Sequence, residues 1–261
     1  MSALKTITIR CYAELNDFLP AEKKQTTFAL TAKEPVTVGE AIEIIGIPLS
    51  EVDLVTVNGK PVGRSYRPLE NDHLSVYPTF ETFDISGLRT VQKKPLRVTR
   101  FILDAHLGKL ARYLRMLGFD TLYRNDYSDE EIIEIAREEK RIILTRDKLL
   151  LRSPRVDHGY YVRAVEKHAQ LREVVKKFDL YLQFRTFTRC MTCNATLLVK
   201  PKDAIRDRIP PDIYDCYQEF YYCPSCDKLF WRGSHFERME RFIRDLIENK
   251  TGNDHPLKKD I

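Results

Sequence analysis

Three acids and four cysteines stand out as the residues of this chain whose types and spacing could do chemistry. Asp104 and Asp147 each close a short apolar run, Phe101-Ile102-Leu103-Asp104 and Ile142-Ile143-Leu144-Thr145-Arg146-Asp147, and Asp129 opens a helical stretch between them. Carboxylates gathered at strand ends suit a hard divalent cation, Mg2+ or Mn2+. Such a cation supplies what phosphodiester hydrolysis needs at neutral pH, an activated water and neutralisation of charge on the phosphoryl oxygens. Asp126 and Glu130 lie close enough in sequence to serve as further ligands or to position water. A competing reading applies to each acid. Ser128-Asp129-Glu130-Glu131 is also a helix start in which Ser128 caps and Glu131 completes a capping box, and Asp104 and Asp147 could be turn residues or caps of the helices that follow.

The cysteines make the strongest local signal. Cys190-Met191-Thr192-Cys193 and Cys223-Pro224-Ser225-Cys226 form two Cys-x-x-Cys knuckles, which let four thiolates surround one tetrahedral Zn2+ with no position left open for substrate. That zinc is expected to be structural, and in so small a domain it would supply much of the stability. Cys216 is expected to be a buried thiol rather than a ligand. Aromatic and basic residues crowd the same region, among them Trp231, Arg232 and His235. They suit stacking on unpaired bases and contact with phosphates, although the aromatics could equally be the core of the ribbon itself.

The elements that must position these residues follow from periodicity. Both apolar runs have the length and β-branched content of strands buried in a parallel sheet, where ligands gather beyond the carboxyl ends. Helical spacing of Leu107, Leu110, Ala111, Leu114 and Leu117, ended by Gly118, predicts one helix; Ile132, Ile133, Ile135 and Ala136 predict another from Asp129 to about Glu139. Strands at Thr121–Tyr123 and Tyr160–Val162 and a helix carrying Leu171, Val174, Val175 and Phe178 complete a three-layer α/β domain with a mainly parallel sheet over residues 95–185. Lys109, Arg112 and Arg115 recur every three residues on one helix and are expected to share a phosphate-contacting side, together with Arg146, Lys148 and Arg152.

Before this domain, residues 1–88 alternate as strands at Lys5–Arg10, continue through Phe28-Ala29-Leu30, and enter a helix around Gly39–Ile45. Val55-Thr56-Val57 runs into an Asn58-Gly59 hairpin turn, and Leu74–Tyr77 is a further strand. Four strands and one helix predict a β-grasp fold. A polar connector, Arg89–Pro95, leads to the second domain, and residues 186–250 hold the zinc ribbon with a helix opening at Ser234.

Charge is distributed unevenly over the 261 residues: residues 1–88 carry net −4, 89–185 carry +8 and 186–261 carry +1. A basic segment that contains an acidic cluster attracts phosphates to carboxylates through an intervening cation. No apolar stretch approaches the roughly 20 residues of a membrane span. The start, MSALKTITIR, is no signal peptide, so a cytoplasmic protein without membrane partners is expected.

Three resemblances add to this reading. Gly46-Ile47-Pro48, Val57-Asn58-Gly59-Lys60-Pro61-Val62 and Leu69–Pro78 resemble the ubiquitin-like sulfur carriers. Those end in a free Gly-Gly, whereas this chain continues, so a binding or scaffold module with a protein partner is implied rather than sulfur transfer. Ile102-Leu103-Asp104, Asp129 through Ile132 to Ala136, and Thr145-Arg146-Asp147 resemble the PIN-domain nucleases. That resemblance implies metal binding by Asp104, Asp129 and Asp147, with Thr145 orienting the cluster. The chain departs from it where the helix from Leu107 to Leu117 offers only basic residues instead of a further acid, and Asp126 is the candidate substitute. The ordered combination is similar to the Mut-seven carboxy-terminal RNase family, PIN-like domains fused to a zinc ribbon, through Asp104–Arg112, Leu144–Asp147, the four cysteines and Phe230–His235. It implies RNA cleavage. The rival expectations are an RNA-binding module without catalysis and a ubiquitin-like adapter.

Overall fold

The computed structural model describes residues 5–32, 36–78 and 98–248. The connector at 89–95 lies outside the described residues. Contacts divide the chain into two compact units, residues 1–108 with 123–163 and residues 109–122 with 164–261. Neither unit is contiguous in sequence.

The first unit begins with β1 (Lys5–Cys11), β2 (Thr27–Ala32), α1 (Val38–Ile44), β3 (Val52–Val57), β4 (Lys60–Val62) and β5 (His73–Pro78). They form one sheet of order β2-β1-β5-β3-β4, in which β1 and β5 run parallel and the other pairs antiparallel. Strict alternation in β1 puts Ile7, Ile9 and Cys11 into the core with Leu74, Val76 and Val55, beneath Val38, Ala41 and Ile42 of α1. Thr37 and Glu40 close a capping box at the start of α1. The Asn58-Gly59 turn has both residues in the left-handed region, φ 48° and 78°, as a two-residue hairpin requires. It delivers β4, a fifth strand that sequence pattern does not reveal, because it is three residues long and contains Pro61.

The same unit continues with β6 (Arg100–Leu103), the start of α2 (Gly108–Met116), the end of β7 (Asp120–Tyr123), α3 (Asp129–Glu138), β8 (Ile142–Thr145), α4 (Lys148–Arg152) and β9 (Gly159–Tyr161). β6, β8 and β9 are parallel, with Ile102 opposite Ile143 and Leu144 opposite Tyr160. Phe101, Ile102, Leu103, Ile142, Ile143 and Leu144 are all buried, which explains unbroken apolar runs where one-sided strands would alternate.

The ubiquitin-like sheet is docked on α4 and β9. Glu51, 1% exposed, accepts hydrogen bonds from the Tyr161 amide at 2.5 Å and from Arg163 Nη2 at 3.1 Å, and Asp17 takes Arg163 Nε at 3.0 Å. Lys148 donates to the Asp17 carbonyl and lies over the rings of Phe18 and Tyr161; Arg152 donates to the Gly46 carbonyl at 2.7 Å. Removing Glu51 leaves the Tyr161 amide and one arm of the Arg163 guanidinium without their acceptor, while Asp17 and the Tyr161 carbonyl keep the rest; losing a partner of a buried pair typically costs up to about 3–5 kcal/mol. Glu51→Ala is therefore expected to lower the denaturant midpoint strongly and Glu51→Gln less. Equal, small shifts in urea unfolding for both variants would show that the joint contributes little.

The second unit holds the rest of α2, α5 (Lys167–Lys177), a three-stranded antiparallel sheet of order β10 (Leu198–Lys200), β11 (Phe220–Cys223), β12 (Lys228–Trp231), then the short α6 (Pro211–Cys216) between β10 and β11, and α7 (Ser234–Glu248). Helix α2 ends at Gly118, whose φ is 95° and where a Cβ would come within 2.1 Å of the Arg185 carbonyl oxygen. Cys216 is exposed at the end of α6, contrary to the expectation of a buried thiol, because Pro210 and Pro211 start a helix there whose last residue faces solvent. Among the described residues no helix is long and apolar enough to cross a membrane.

Candidate metal and nucleic-acid site

The Asp104 amide donates to the Leu144 carbonyl at 3.2 Å, extending the parallel pairing of β6 and β8 by one residue. That register sets Asp104 beside Thr145, the last residue of β8. Thr145 is fully buried, and its hydroxyl donates to Asp104 Oδ2 at 2.9 Å while accepting the Asp147 amide at 2.8 Å. One side chain thus ties both strand-end acids together. Tyr123 braces the same loop by donating to the Ala105 carbonyl at 3.0 Å, and a Cβ at Gly108 would lie 2.6 Å from the Tyr123 hydroxyl oxygen.

The capping readings resolve differently at each acid. Ser128 caps α3 by accepting the Glu131 amide at 3.2 Å, and Glu131 returns the bond to the Ser128 amide at 2.8 Å. The cap needs nothing from Asp129, the first residue of the helix. Asp147 does cap α4, with Oδ1 accepting the Leu149 amide at 2.7 Å, which commits one oxygen and leaves Oδ2. Asp104 makes no capping bond.

Asp129 carries the electrostatic signature of the group. Partial burial raises its pKa above the ordinary carboxylate value, and the charges of Asp147, Asp104 and Glu130 raise it further. Glu130 itself pairs with Arg155 at 2.5 Å. Asp126 does not join the cluster: it is exposed and held in a two-bond pair by Arg124 at 2.8 and 2.9 Å, which lowers its pKa. That pairing competes with the expected role as substitute for a fourth acid. A residue not among the candidates, His106, places Nδ1 3.7 Å from Asp104 Oδ2 with its side chain 77% exposed. Its position two residues after Asp104 is the one signal that could have found it.

The basic candidates separate. Lys109 and Arg112 are exposed. Arg115 is 3% exposed, and its guanidinium donates to the carbonyls of Thr121 at 2.9 Å, Met191 at 3.2 Å and Thr192 at 2.7 Å. It therefore braces the first cysteine knuckle and does not face phosphate as expected. Arg146 is half-buried and donates to the carbonyls of Val162 and Arg163. Lys148 and Arg152 belong to the joint with the amino-terminal sheet. In each of these three, backbone carbonyls take part of the donor set that a phosphate contact would use. Arg232 is exposed, paired with Glu219 at 3.2 Å, and lies over the Phe236 ring. Trp231 packs against the small core of Ile205, Ile209 and Phe220. The side chain of His235 lies outside what is described.

The sulfur atoms of Cys190, Cys193, Cys223 and Cys226 all lie within 4.8 Å of one another. Cys193 and Cys223 are 3.4 Å apart and Cys190 and Cys226 4.0 Å, which brackets the roughly 3.8 Å between ligands of a tetrahedral zinc with bonds of about 2.3 Å. Burial opposes ionisation of Cys193, yet the Ala195 amide and the neighbouring thiols draw its pKa down to about 7, while Cys193 pushes Cys226 up to about 12. The quartet is compatible with structural zinc, whose binding would displace the remaining protons. The knuckle is anchored within its unit by Asn194, which accepts the Thr121 amide at 3.0 Å and donates to Asp120 at 2.8 Å. Among the described residues the three aspartates do not close to the same mutual separation as the cysteines.

Two family models match the chain. A family model described as the Mut7-C RNAse domain matches residues 99–243, and one described as Mut7-C ubiquitin matches residues 4–84. The human protein named "Exonuclease mut-7 homolog" is 24% identical over 234 residues, covering 59% of this chain and 27% of that protein. The chain thus spans about a quarter of the length of this curated relative. No solved structure matches it.

Proposed function

Since the chain belongs to the Mut7-C RNAse domain family, with that family's ubiquitin domain in front, we propose that it is a metal-dependent ribonuclease that hydrolyses RNA phosphodiester bonds at Asp104, Asp129 and Asp147. The observation that carries the proposal is geometric: Thr145 ties the strand-end acids Asp104 and Asp147 together, and burial together with the charges of those two acids raises the pKa of Asp129. Carboxylates held together against their own charge are what a divalent cation would relieve. When bound, Mg2+ or Mn2+ would neutralise charge on the phosphoryl oxygens and activate a water. The residues do the rest. Thr145 fixes the Asp104 carboxylate by hydrogen bond and the Asp147 backbone beside it, Asp147 keeps one oxygen outside its cap, and His106 stands at the exposed edge where a proton must be passed to the leaving oxygen. Lys109 and Arg112 supply phosphate contacts. In this proposal residues 1–88 are a docked module, 95–185 the catalytic domain and 186–250 a zinc ribbon that extends the RNA surface.

Purified protein should cut labelled single-stranded RNA with added Mg2+ or Mn2+ and leave it intact when these are omitted; absence of cleavage across a panel of RNAs with either metal would sink the proposal. The wider separation of the aspartates favours one alternative, an RNA-binding protein without turnover, and that same result would support it.

A further prediction concerns stability without metal. The folded state holds the Asp129 proton more tightly than the unfolded state does, so the stability tied to this group is present below the ordinary carboxylate pKa and is lost as pH rises through the raised folded value. Asp129→Asn should therefore melt no lower than the parent at pH 7 without metal, and its melting temperature should no longer climb on Mn2+ addition. A variant that melts lower yet retains the full Mn2+ increment would show that Asp129 is structural.

A further inference from the structure

The zinc-ribbon unit contains a cavity of about 410 Å3, within the roughly 300–1,000 Å3 of ordinary ligand pockets. Its walls are largely aromatic, with Phe187, Tyr217, Tyr221, Trp231 and Phe236 among the lining residues. Phe187 and Phe236, both lining residues, stack with ring centroids 3.8 Å apart and 27° between their planes. Phe187 takes this place with a left-handed backbone, φ 59°, a conformation that a bulky aromatic residue adopts only when its surroundings impose it.

Two polar atoms are grouped at one wall of this apolar space. A Cβ at Gly233, another lining residue, would sit 3.1 Å from Trp231 Nε1 and 3.4 Å from the Tyr217 hydroxyl oxygen, so both groups converge beside that glycine. Neither has a hydrogen-bond partner among the described residues. The indole N–H can only donate, and the phenol can donate or accept. Outside the lining itself, the Arg232 guanidinium lies over the ring of Phe236, 5.0 Å from the centroid, and pairs with Glu219 at 3.2 Å. A flat, heteroaromatic group bearing ring nitrogens or carbonyl oxygens and attached to an anion meets every one of these features. An aliphatic ligand would leave the two polar groups unsatisfied.

We propose that this cavity receives one unpaired nucleobase of the RNA substrate, stacked on the Phe187–Phe236 pair and hydrogen-bonded by Trp231 Nε1 and the Tyr217 hydroxyl, with Arg232 at the adjoining phosphate. The inference rests on the ribonuclease reading and adds a base-binding position outside the aspartate cluster. Base-on-aromatic stacking is sequence-tolerant, whereas the two polar groups discriminate among base edges.

Trp231 is the sole tryptophan of the chain, so its emission reports on this cavity alone. The zinc-loaded full chain, without added Mg2+ or Mn2+, would be titrated with a short fluorophore-labelled single-stranded RNA, with the same RNA made abasic throughout, and with polyphosphate. Trp231 emission and label anisotropy would be followed together. The expected result is strong quenching by RNA, little by the abasic chain or polyphosphate, and roughly tenfold tighter binding of the RNA than of its abasic counterpart. Tyr217→Phe should weaken RNA binding several-fold with an unchanged melting temperature. RNA that binds by anisotropy while Trp231 emission stays constant, equal quenching by the abasic chain, or a Tyr217→Phe variant that binds like the parent would each overturn the proposal. Cleavage assays on parallel samples with Mg2+ or Mn2+ added keep the two readings apart: RNA cut with Trp231 silent refutes the base pocket alone, and quenching without cleavage refutes the nuclease alone.

Discussion

Asp104→Asn is expected to lower metal-dependent RNA cleavage by at least ~100-fold while the protein stays folded, since perturbing a metal's immediate supports alone typically costs about 10–100-fold and a ligand is the more direct loss. The structure makes this substitution unusually clean. Asp104 caps no helix through its side chain, and the bond it accepts from Thr145 can be accepted equally by an asparagine carbonyl. What disappears is one negative charge from a group of three. Initial rates over a range of Mn2+ concentrations, beside circular-dichroism melting curves, would check the expectation. A variant with parental rates, folded and saturable by metal, would move the chemistry away from Asp104. Asp147→Asn is the less informative partner, because Asp147 also accepts the Leu149 amide and a stability change would accompany any loss of rate.

Removal of zinc should have the larger effect on structure. The core around the ribbon consists of Ile205, Ile209 and Phe220 with a few half-buried neighbours. So small a cluster cannot offset the conformational entropy of the strands it joins. Zinc binding in comparable Cys-rich units contributes about 10–16 kcal/mol at neutral pH, and in such units that free energy is folding free energy. Chelation, or Cys193→Ser, is therefore expected to release about one zinc per chain, shift Trp231 emission towards that of a solvent-exposed indole, and lower the melting temperature of the ribbon unit by tens of degrees. Arg115 extends the damage, because its guanidinium loses the ordered carbonyls of Met191 and Thr192 and becomes a buried charge short of partners. A ribbon that retains its Trp231 emission and its melting transition after quantitative zinc loss would refute the structural role.

Sequence pattern disclosed the features that depend on continuous local signals. The runs ending at Leu103 and Thr145 are buried on both faces, so their apolar residues are unbroken and the acids that end them are conspicuous. The cysteine knuckles are equally local, and the Ser128–Glu131 box is legible as a cap. What pattern could not settle was which oxygen does what: Asp129 is released from capping because Ser128 alone suffices, and no spacing rule says so. Arg115 was misplaced for a geometric reason. Residues three apart drift about 60° round a helix at each step, so Lys109 and Arg112 stay on the exposed side while Arg115 has turned towards the interior. The pairing of Asp126 with Arg124 spans two residues and competes with any longer-range role. Short elements such as β4 and α4 carry too few residues for a period to register. Least legible of all were contacts between residues far apart in the chain, among them Glu51 with Tyr161 and Arg163.

Those last contacts bear on how the gene for such a protein can be rearranged. Glu51 and Asp17 on one side and Arg163, Lys148 and Arg152 on the other form a lock whose halves are useless separately, since each alone presents stranded charge and an uncovered Phe18 or Tyr161. Contacts between residues more than 100 positions apart thus hold the amino-terminal module against α4 and β9. Fused behind an unrelated leading domain, residues 98–248 would present Arg163, Lys148 and Arg152 without the acceptors that Glu51, Asp17 and Gly46 supply.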